Sequence, residues 1–232
     1  PIGCRFDPAS LACPGEKADG CLSRAQADAL AKAFAGPRDS RGRPVYPGFL
    51  FDTGITASQG IPGLLAGSTN PVGPPFAATE MDVDQRAEAA AADPQMQLTS
   101  TWGWTKLNTF SSRGGKLLFY HGVSDPWFSA LDTVDYYERM SRANGGASVV
   151  SGWSRLFLVP GMGHCGGGPQ TLDTFDMLGA VVDWVESQKA PDAIRATGRS
   201  FSGRSRPLCP YPSHAHYKGT GDVEDAASFE CR

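Results

Sequence analysis

Two short apolar runs, each followed by a polar loop, predict the fold class: KLLFYHGVSD at residues 116–125 and RLFLVPGMGH at residues 155–164. Neither run alternates apolar with polar side chains, and such continuous runs are typical of strands whose two faces are both buried. We expect strands over Lys116–His121 and Arg155–Val159. Strands of this kind occur in parallel sheets that helices cover on both faces.

A helix is predicted after each strand. The first covers Asp132–Arg142, with Asp132 as its N-cap and Asn144 at its end, directly before two glycines. The second covers Thr174–Ser187, where large apolar side chains recur at helical spacing and form one apolar side. They are Phe175, Leu178, Val181, Val182 and Val185. Two strand–helix units in succession indicate an α/β fold with a parallel sheet.

The first hundred residues are less regular. Apolar spacing predicts a helix over Leu22–Phe34, and an alanine-rich segment predicts a second helix over Asp84–Ala92, which ends before Pro94. Between them, residues 38–75 are rich in Gly, Pro, Ser and Thr and show no sustained period. We expect this part to be a loop-dominated cap or lid.

The predicted loops after the two strands carry Asp125 and His164. In parallel α/β sheets, binding and catalytic residues occupy the loops at the carboxyl ends of strands. A histidine base held by a carboxylate is the arrangement that activates a serine nucleophile, so we predict catalytic roles for both residues. The alternative for Asp125 is a turn or helix-capping aspartate, and the alternative for His164 is an incidental histidine in a glycine-rich turn.

The serine of such a site is not found in this chain. In α/β-hydrolases the chain order is serine, then acid, then histidine, and the serine lies in a G-x-S-x-G turn. No such turn occurs here, and SFSGR at residues 200–204 follows the histidine. We therefore predict that the chain supplies the acid and the base, while the serine lies outside it.

Other aromatic and histidine side chains allow two interpretations each. His121 is expected to be a buried histidine bonded to the backbone, or else a pocket residue. Trp127 and Phe128 either pack the loop after Asp125 or line a pocket for a flat aromatic acyl group. His214 and His216 form a solvated surface pair or bind a metal ion, although no third ligand is near them in sequence.

Composition and charge exclude some classes of partner. A net charge of −3 and a sequence pI near 5.8 provide no basic face for nucleic acid. The longest apolar runs, such as Leu178–Val182, are far shorter than the roughly 20 residues that span a bilayer, so we expect no membrane insertion. The chain starts at Pro1 rather than at a methionine, and we expect that an upstream segment has been removed.

The six cysteines are too scattered for a zinc site and favour disulfides in an oxidising compartment. Cys13 and Cys21 enclose a short loop, and Cys209 and Cys231 enclose the tail. Cys4 and Cys165 remain. They pair with each other, or both bond to cysteines outside this chain.

Four segments resemble the tannase and feruloyl esterase family. They are CRFDPASLACPGEKADGCLSRAQ, HGVSDPWFSALDTVDYYERM, VPGMGHCGGGPQTLDTFDML and RPLCPYPSHAHYKGTGDVEDAASFEC. The resemblance implies an α/β-hydrolase core, represented by its C-terminal part over residues 101–232, preceded by the C-terminal part of an inserted lid domain over residues 1–100. The family's substrate-gripping lid aromatics have no match in residues 50–81.

The same resemblance implies roles for individual residues. Asp125 and His164 match the family's acid and base, and Phe128 matches a position that contacts the aromatic acyl group. Cys165 is implied to bond the cysteine that precedes the absent serine, and Cys4 to bond a cysteine near the calcium site of the lid. No residue in this chain is assigned as a metal ligand, because calcium is expected in the absent part of the lid.

We therefore predict a secreted serine carboxylic ester hydrolase that acts on feruloyl, galloyl or terephthalate esters. Its partner is the N-terminal portion of the same enzyme, which is expected to bond covalently through Cys165 and Cys4. The first alternative is a secreted, non-catalytic binding module that keeps the hydrolase scaffold. A metal-dependent hydrolase that uses His214 and His216 ranks last.

Overall fold

The computed structural model describes residues 2–3, 5–52 and 82–232. The expectations for Cys4 and for most of residues 50–81 lie outside this range. The described residues form two compact units, one from those up to Phe51 together with 82–99, and the other from Asp52 together with 100–232. The assignment of the first unit to a lid domain stays a prediction.

The first unit contains short helices and turns. A 3-10 helix over Pro8–Leu11 is followed by the Cys13–Cys21 disulfide, which is present as the spacing suggested. Helix α1 covers Arg24–Ala35 and starts later than expected, because Ser23 and Gln26 form a capping box there. Helices α2 (Val83–Ala92) and α3 (Pro94–Thr99) follow, and Asp93 caps α3 through the N–H of Gln95.

A β–α–β unit forms the centre of the second unit. Strand β1 (Leu117–Gly122) pairs in parallel with β2 (Ser154–Val159), so that Gly122 lies opposite Val159. Both predicted strands and their parallel direction are confirmed. Short helices α4 (Asn108–Ser111) and α6 (Ala147–Val150) precede the two strands, and α5 (Ala130–Ala143) crosses between them.

Both faces of β2 are buried, as a continuous apolar strand requires. Leu156 and Phe157 are each 0% exposed, and successive residues of a strand point to opposite faces. Leu156 packs in a cluster with side chains of α5, α6 and Trp153, whereas Phe157 packs in a second cluster that includes Met162. The sheet is therefore fixed between two cores, and the loops at its carboxyl edge start from a rigid base.

The helices after the strands differ from the prediction in their starts and faces. The N-cap of α5 is Ser129, whose hydroxyl accepts from the N–H of Leu131, so the expected cap at Asp132 was wrong. Helix α7 covers Met177–Ser187 and is capped by Asp176. Three of its predicted apolar-side residues are exposed, because the face toward the core carries Met177, Ala180 and the buried Trp184. The exposed residues are Leu178, Val182 and Val185.

Two antiparallel ribbons follow α7. Strand β3 (Ile194–Thr197) pairs with β4 (Ser205–Leu208), and β5 (Ala215–Tyr217) pairs with β6 (Phe229–Cys231). A 3-10 helix over Ala226–Ser228 leads into β6. The Cys209–Cys231 disulfide joins the end of β4 to β6. No helix in the described ranges is long and apolar enough to span a membrane.

Candidate active site

Asp125 and His164 come together at the carboxyl edge of the β1–β2 pair. The Nδ1 atom of His164 lies 2.8 Å from Oδ2 of Asp125, within hydrogen-bond distance. The two loops are also joined through the backbone, since the N–H of Ser124 donates to the carbonyl of Met162 at 2.9 Å. The predicted acid and base, Asp125 and His164, therefore sit on two loops that are bonded to each other next to the strands.

The two carboxylate oxygens of Asp125 have different partners. Oδ1 accepts from the backbone N–H groups of Trp127 at 2.8 Å and Phe128 at 3.0 Å, which is an aspartate turn of the kind considered above. Oδ2 faces His164. The turn and the histidine contact are thus present in one side chain, and neither excludes the other.

Asp125 is 5% exposed and remains anionic over most of the pH range. Burial raises the pKa of Asp125, but interactions with His121 and His164 and with the N–H groups of Phe128 and Trp127 outweigh burial and lower the pKa to about 2. A permanently charged carboxylate at Nδ1 keeps the proton of His164 on that nitrogen. The Nε2 atom of His164 is then free of a proton and can act as a base.

Two glycines allow the histidine loop to pack tightly. A Cβ atom on Gly122, the last residue of β1, would lie 2.3 Å from the carbonyl oxygens of Met162 and Gly163. A Cβ atom on Gly168, whose φ is +135°, would lie 2.1 Å from the carbonyl oxygen of Gly161. Any larger residue at these positions would displace the backbone that carries His164.

Two aromatic side chains contact the imidazole of His164. The ring centroid of Trp127 lies 4.6 Å from that of His164, and the centroid of Phe128 lies 5.3 Å away. Phe128 is 48% exposed, whereas the Nε1 atom of Trp127 is buried without a hydrogen-bond partner among the described residues. The predicted substrate-binding residues are therefore placed beside the base.

His121 makes more contacts than sequence reasoning anticipated. Its Nε2 atom lies 3.0 Å from the carbonyl oxygen of Phe128, in agreement with the expected backbone bond. In addition, Nδ1 lies 2.7 Å from Oγ1 of Thr133, and Nε2 lies 3.5 Å from Oδ2 of Asp125. The spacing His-x-x-x-Asp across the end of a strand was the sequence signal for this contact.

The remaining predicted site residues lie elsewhere. His216 lies in β5 and His214 directly precedes it, and their ring centroids are 4.2 Å apart. Within residues 2–3, 5–52 and 82–232, no group of three or more His, Cys, Asp or Glu side chains is placed to hold a metal ion. Cys165 is exposed and is the free cysteine of the described part, with a left-handed backbone at φ 61°.

Comparisons with known proteins point to one family. The sequence profile of the family described as tannase and feruloyl esterase matches residues 1–232. A mono(2-hydroxyethyl) terephthalate hydrolase from Piscinibacter sakaiensis is 38% identical, and the match covers 97% of this chain and 46% of that protein. Feruloyl esterase B from Aspergillus niger is 36% identical over 54% of this chain and 27% of its own length.

A solved structure agrees with this relationship. The crystal structure of feruloyl esterase B from Aspergillus oryzae matches with a TM-score of 0.75 and 25% identity, over 99% of this chain and 50% of that one. This likeness is consistent with an α/β-hydrolase-like fold. The chain spans about half the length of the relatives that it matches over nearly all of its own residues.

Proposed function

Because this chain belongs to the tannase and feruloyl esterase family, we propose that it is the C-terminal part of a serine carboxylic ester hydrolase. The observation that carries the proposal is the 2.8 Å contact between His164 Nδ1 and Asp125 Oδ2 at the carboxyl edge of two parallel strands. In this account the N-terminal portion of the enzyme supplies the serine. We use the term complete enzyme for the two portions together.

His164 acts as the general base and then as the general acid. Its Nε2 atom removes the proton from the serine hydroxyl as the serine oxygen attacks the ester carbonyl carbon. The tetrahedral intermediate then expels the alcohol, which takes the proton from Nε2, and an acyl-serine remains. A water molecule then attacks the acyl carbonyl carbon and gives a proton to Nε2. When the acyl–serine bond breaks, Nε2 returns this proton to the serine oxygen and the acid is released. The side chain of His164 is 34% exposed, so substrate and water can reach it.

Asp125 orients and stabilises the imidazole. Its charge at Oδ2 favours the positive imidazolium that forms in each transition state, and its two backbone bonds at Oδ1 prevent the carboxylate from rotating away. The low pKa of Asp125 supports this role, because a carboxylate with a pKa of about 2 does not take the proton from His164.

The substrates are esters of aromatic acids of the feruloyl, galloyl or terephthalate type. Phe128 is half exposed beside His164, where an apolar ring offers a face for an aromatic acyl group. Trp127 lies on the same imidazole and completes an apolar wall. The relatives of this chain include a feruloyl esterase and a mono(2-hydroxyethyl) terephthalate hydrolase, which supports this class.

The partner is the N-terminal portion of the same enzyme. Cys165 directly follows His164 and is exposed, so a disulfide to a cysteine beside the serine would fix nucleophile and base together. Cys4 is proposed to form a second such bond. The apolar stripe of α7, formed by Leu178, Val182 and Val185, is exposed in this chain and offers a surface for that portion to cover.

The remaining assignments follow from the family. We assign residues 1–100 to the end of a lid domain and 101–232 to the end of the catalytic domain. Calcium, which the family resemblance implies, is proposed to bind in the part of the lid domain that lies outside this chain. Two disulfides favour an oxidising compartment, so we propose secretion to the periplasm or the extracellular space.

The test is hydrolysis of aromatic esters by the complete enzyme. Methyl ferulate, methyl gallate and mono(2-hydroxyethyl) terephthalate are offered, and we expect turnover of at least one that a serine-directed fluorophosphonate abolishes. Activity that resists the fluorophosphonate but disappears with a chelator would support the metal-dependent alternative instead. Tight binding of these esters without turnover would support the non-catalytic binding module.

A further inference from the structure

His121 connects three elements around the candidate acid. It stands in β1 (Leu117–Gly122), bonds the backbone of the following loop at Phe128, and bonds Thr133 in α5 (Ala130–Ala143). Its side chain is 14% exposed, so these contacts are largely shielded from water. No part of the serine esterase mechanism described above uses it.

We propose that His121 is a positioning residue, which holds Asp125 and the Phe128 backbone in the geometry that His164 requires. The inference rests on the proposed function. His121 touches neither the reacting atoms nor the base, and it acts through the acid and the loop. The observation that carries the proposal is that one nitrogen, Nε2, lies 3.0 Å from Phe128 O and 3.5 Å from Asp125 Oδ2.

The partners of His121 determine its protonated nitrogen. The carbonyl oxygen of Phe128 can only accept a hydrogen bond, so Nε2 carries a proton. In the neutral ring, Nδ1 then accepts the hydroxyl proton of Thr133 at 2.7 Å. The ring is thus bonded at both ends and cannot flip without losing both bonds.

This orientation directs a polarised N–H at the oxygen that binds His164. Oδ2 of Asp125 accepts from His164 Nδ1 at 2.8 Å and lies beside His121 Nε2, while Oδ1 is bonded to the loop backbone. Asp132, in the first turn of α5, is a second charged group near His121. Burial raises the pKa of Asp132, and the opposing effect of His121 on that pKa is smaller. The carboxylate of Asp125 is thus bonded to the loop backbone at Oδ1 and lies between His164 and the N–H of His121 at Oδ2.

The effect reaches the substrate side as well. Phe128 is the residue assigned to the aromatic acyl group, and its carbonyl is fixed by His121 while its N–H is fixed by Asp125. Loss of His121 therefore loosens the acid and the loop together. Misplacement of catalytic groups by about 1 Å lowers rates by about 100-fold, and this sets the size of the expected effect.

The experiment compares His121→Phe with His121→Gln in the complete enzyme, by kcat and KM for an aromatic ester. His121→Phe keeps a flat ring but removes both polar atoms, and we expect kcat to fall about 100-fold with KM little changed. His121→Gln places an amide N–H near the position of Nε2, so it should restore most of kcat. His214→Gln, at an exposed residue directly before β5, is the matched control and should behave as wild type.

Thr133→Val provides an independent measurement if His121→Phe does not fold, because it keeps the side-chain shape and removes only the bond to Nδ1. We expect a smaller fall in kcat. Wild-type kcat in His121→Phe, or in Thr133→Val when His121→Phe is unfolded, would overturn the positioning role. An equal loss of kcat in His121→Phe and His121→Gln with normal circular dichroism would also overturn it. A wild-type enzyme that neither hydrolyses esters nor reacts with a fluorophosphonate would overturn the proposed function first, and this inference with it.

Discussion

His164 Nδ1 lies 2.8 Å from Asp125 Oδ2, although 39 residues separate the two in sequence. The contact exists because β1 and β2 are parallel neighbours, which brings their following loops to one edge of the sheet. The loops are bonded through Ser124 and Met162 as well, so the pair does not depend on the two side chains alone. A carboxylate and an imidazole held in this way have the geometry that the proposed acid–base half of a serine hydrolase site requires.

Replacement of Asp125 by asparagine tests the role of its charge. Asp125→Asn keeps the size of the side chain but removes the charge that stabilises the imidazolium. We expect kcat of the complete enzyme to fall by about 10⁴ with KM little changed. Steady-state kinetics on an aromatic ester measure the effect. Asp192→Asn, at a side chain that is 92% exposed, is the matched control, and an equal loss there would argue against a special role for Asp125.

Acid stability provides a second prediction. The pKa of Asp125 is lowered from 3.8 to about 2, so the folded state holds its charge where the unfolded chain has already taken up a proton. This stabilisation, about 2 kcal/mol, is fully present above pH 4 and is lost as the pH falls toward 2. Melting temperatures of wild type and Asp125→Asn between pH 5 and pH 2 measure it. The two curves should converge at low pH, and parallel curves would contradict the pKa assignment.

A third prediction concerns the contact between β1 and the histidine loop. Gly122→Ala would place a Cβ atom 2.3 Å from the carbonyl oxygens of Met162 and Gly163, so the loop must move. We expect a loss of about 1–3 kcal/mol in stability and a fall in kcat. Gly163→Ala is the control in the same loop, because its Cβ would meet nothing closer than 3.5 Å. Equal effects of the two substitutions in melting and kinetics would refute the packing argument.

The fourth prediction concerns the C-terminal ribbon of β5 and β6. The Cys209–Cys231 disulfide spans 22 residues, and its loss should destabilise the fold by about 3 kcal/mol, since the unfolded chain is no longer restrained. The double substitution by serine is measured by thermal unfolding. The Cys13–Cys21 disulfide spans only 8 residues in the other unit, so its removal should have a smaller effect. The opposite order would show that the ribbon is held by other contacts.

The two central strands, and the meeting of the loops that follow them, were predictable from sequence. Leu156 and Phe157 are adjacent, both apolar and both fully buried, which only a strand with two covered faces explains. The two loops then follow from the rule that chemistry collects at the carboxyl edge of such sheets. Local sequence was sufficient to predict these strands because a continuous run of apolar residues indicates a strand that is buried on both faces.

The ribbons and the face of α7 were not predictable in the same way. Strands β3 and β5 cover only Ile194–Thr197 and Ala215–Tyr217, and segments this short carry no clear period. They form through pairing with β4 and β6, and the Cys209–Cys231 disulfide joins the two ribbons. In α7, Trp184 is 3% exposed while Leu178 is 73% exposed, because the helix is apolar on more than one side and tertiary packing selects the buried face.

The sequence indicated which residues form the candidate site, but it did not indicate the contacts that hold these residues in place. The sequence indicated Asp125 and His164 by type and position, whereas the contacts of His121 with Thr133 and Phe128 depend on how the loop folds back on β1. Ring contacts between Trp127 and His164 likewise arise only after the two loops meet. Contacts between residues of different loops cannot be predicted until the positions of the loops in the folded chain are known.

The most direct test of the central claim is a pre-steady-state measurement with the 4-nitrophenyl ester of an aromatic acid. For the complete enzyme, we predict a burst of 4-nitrophenol equal to one molecule per active site, followed by slower turnover as the acyl-serine is hydrolysed. His164→Gln should abolish the burst and lower turnover by a factor of about 10⁴ or more. A burst of unchanged rate and amplitude in His164→Gln would contradict the assignment of His164 as the base.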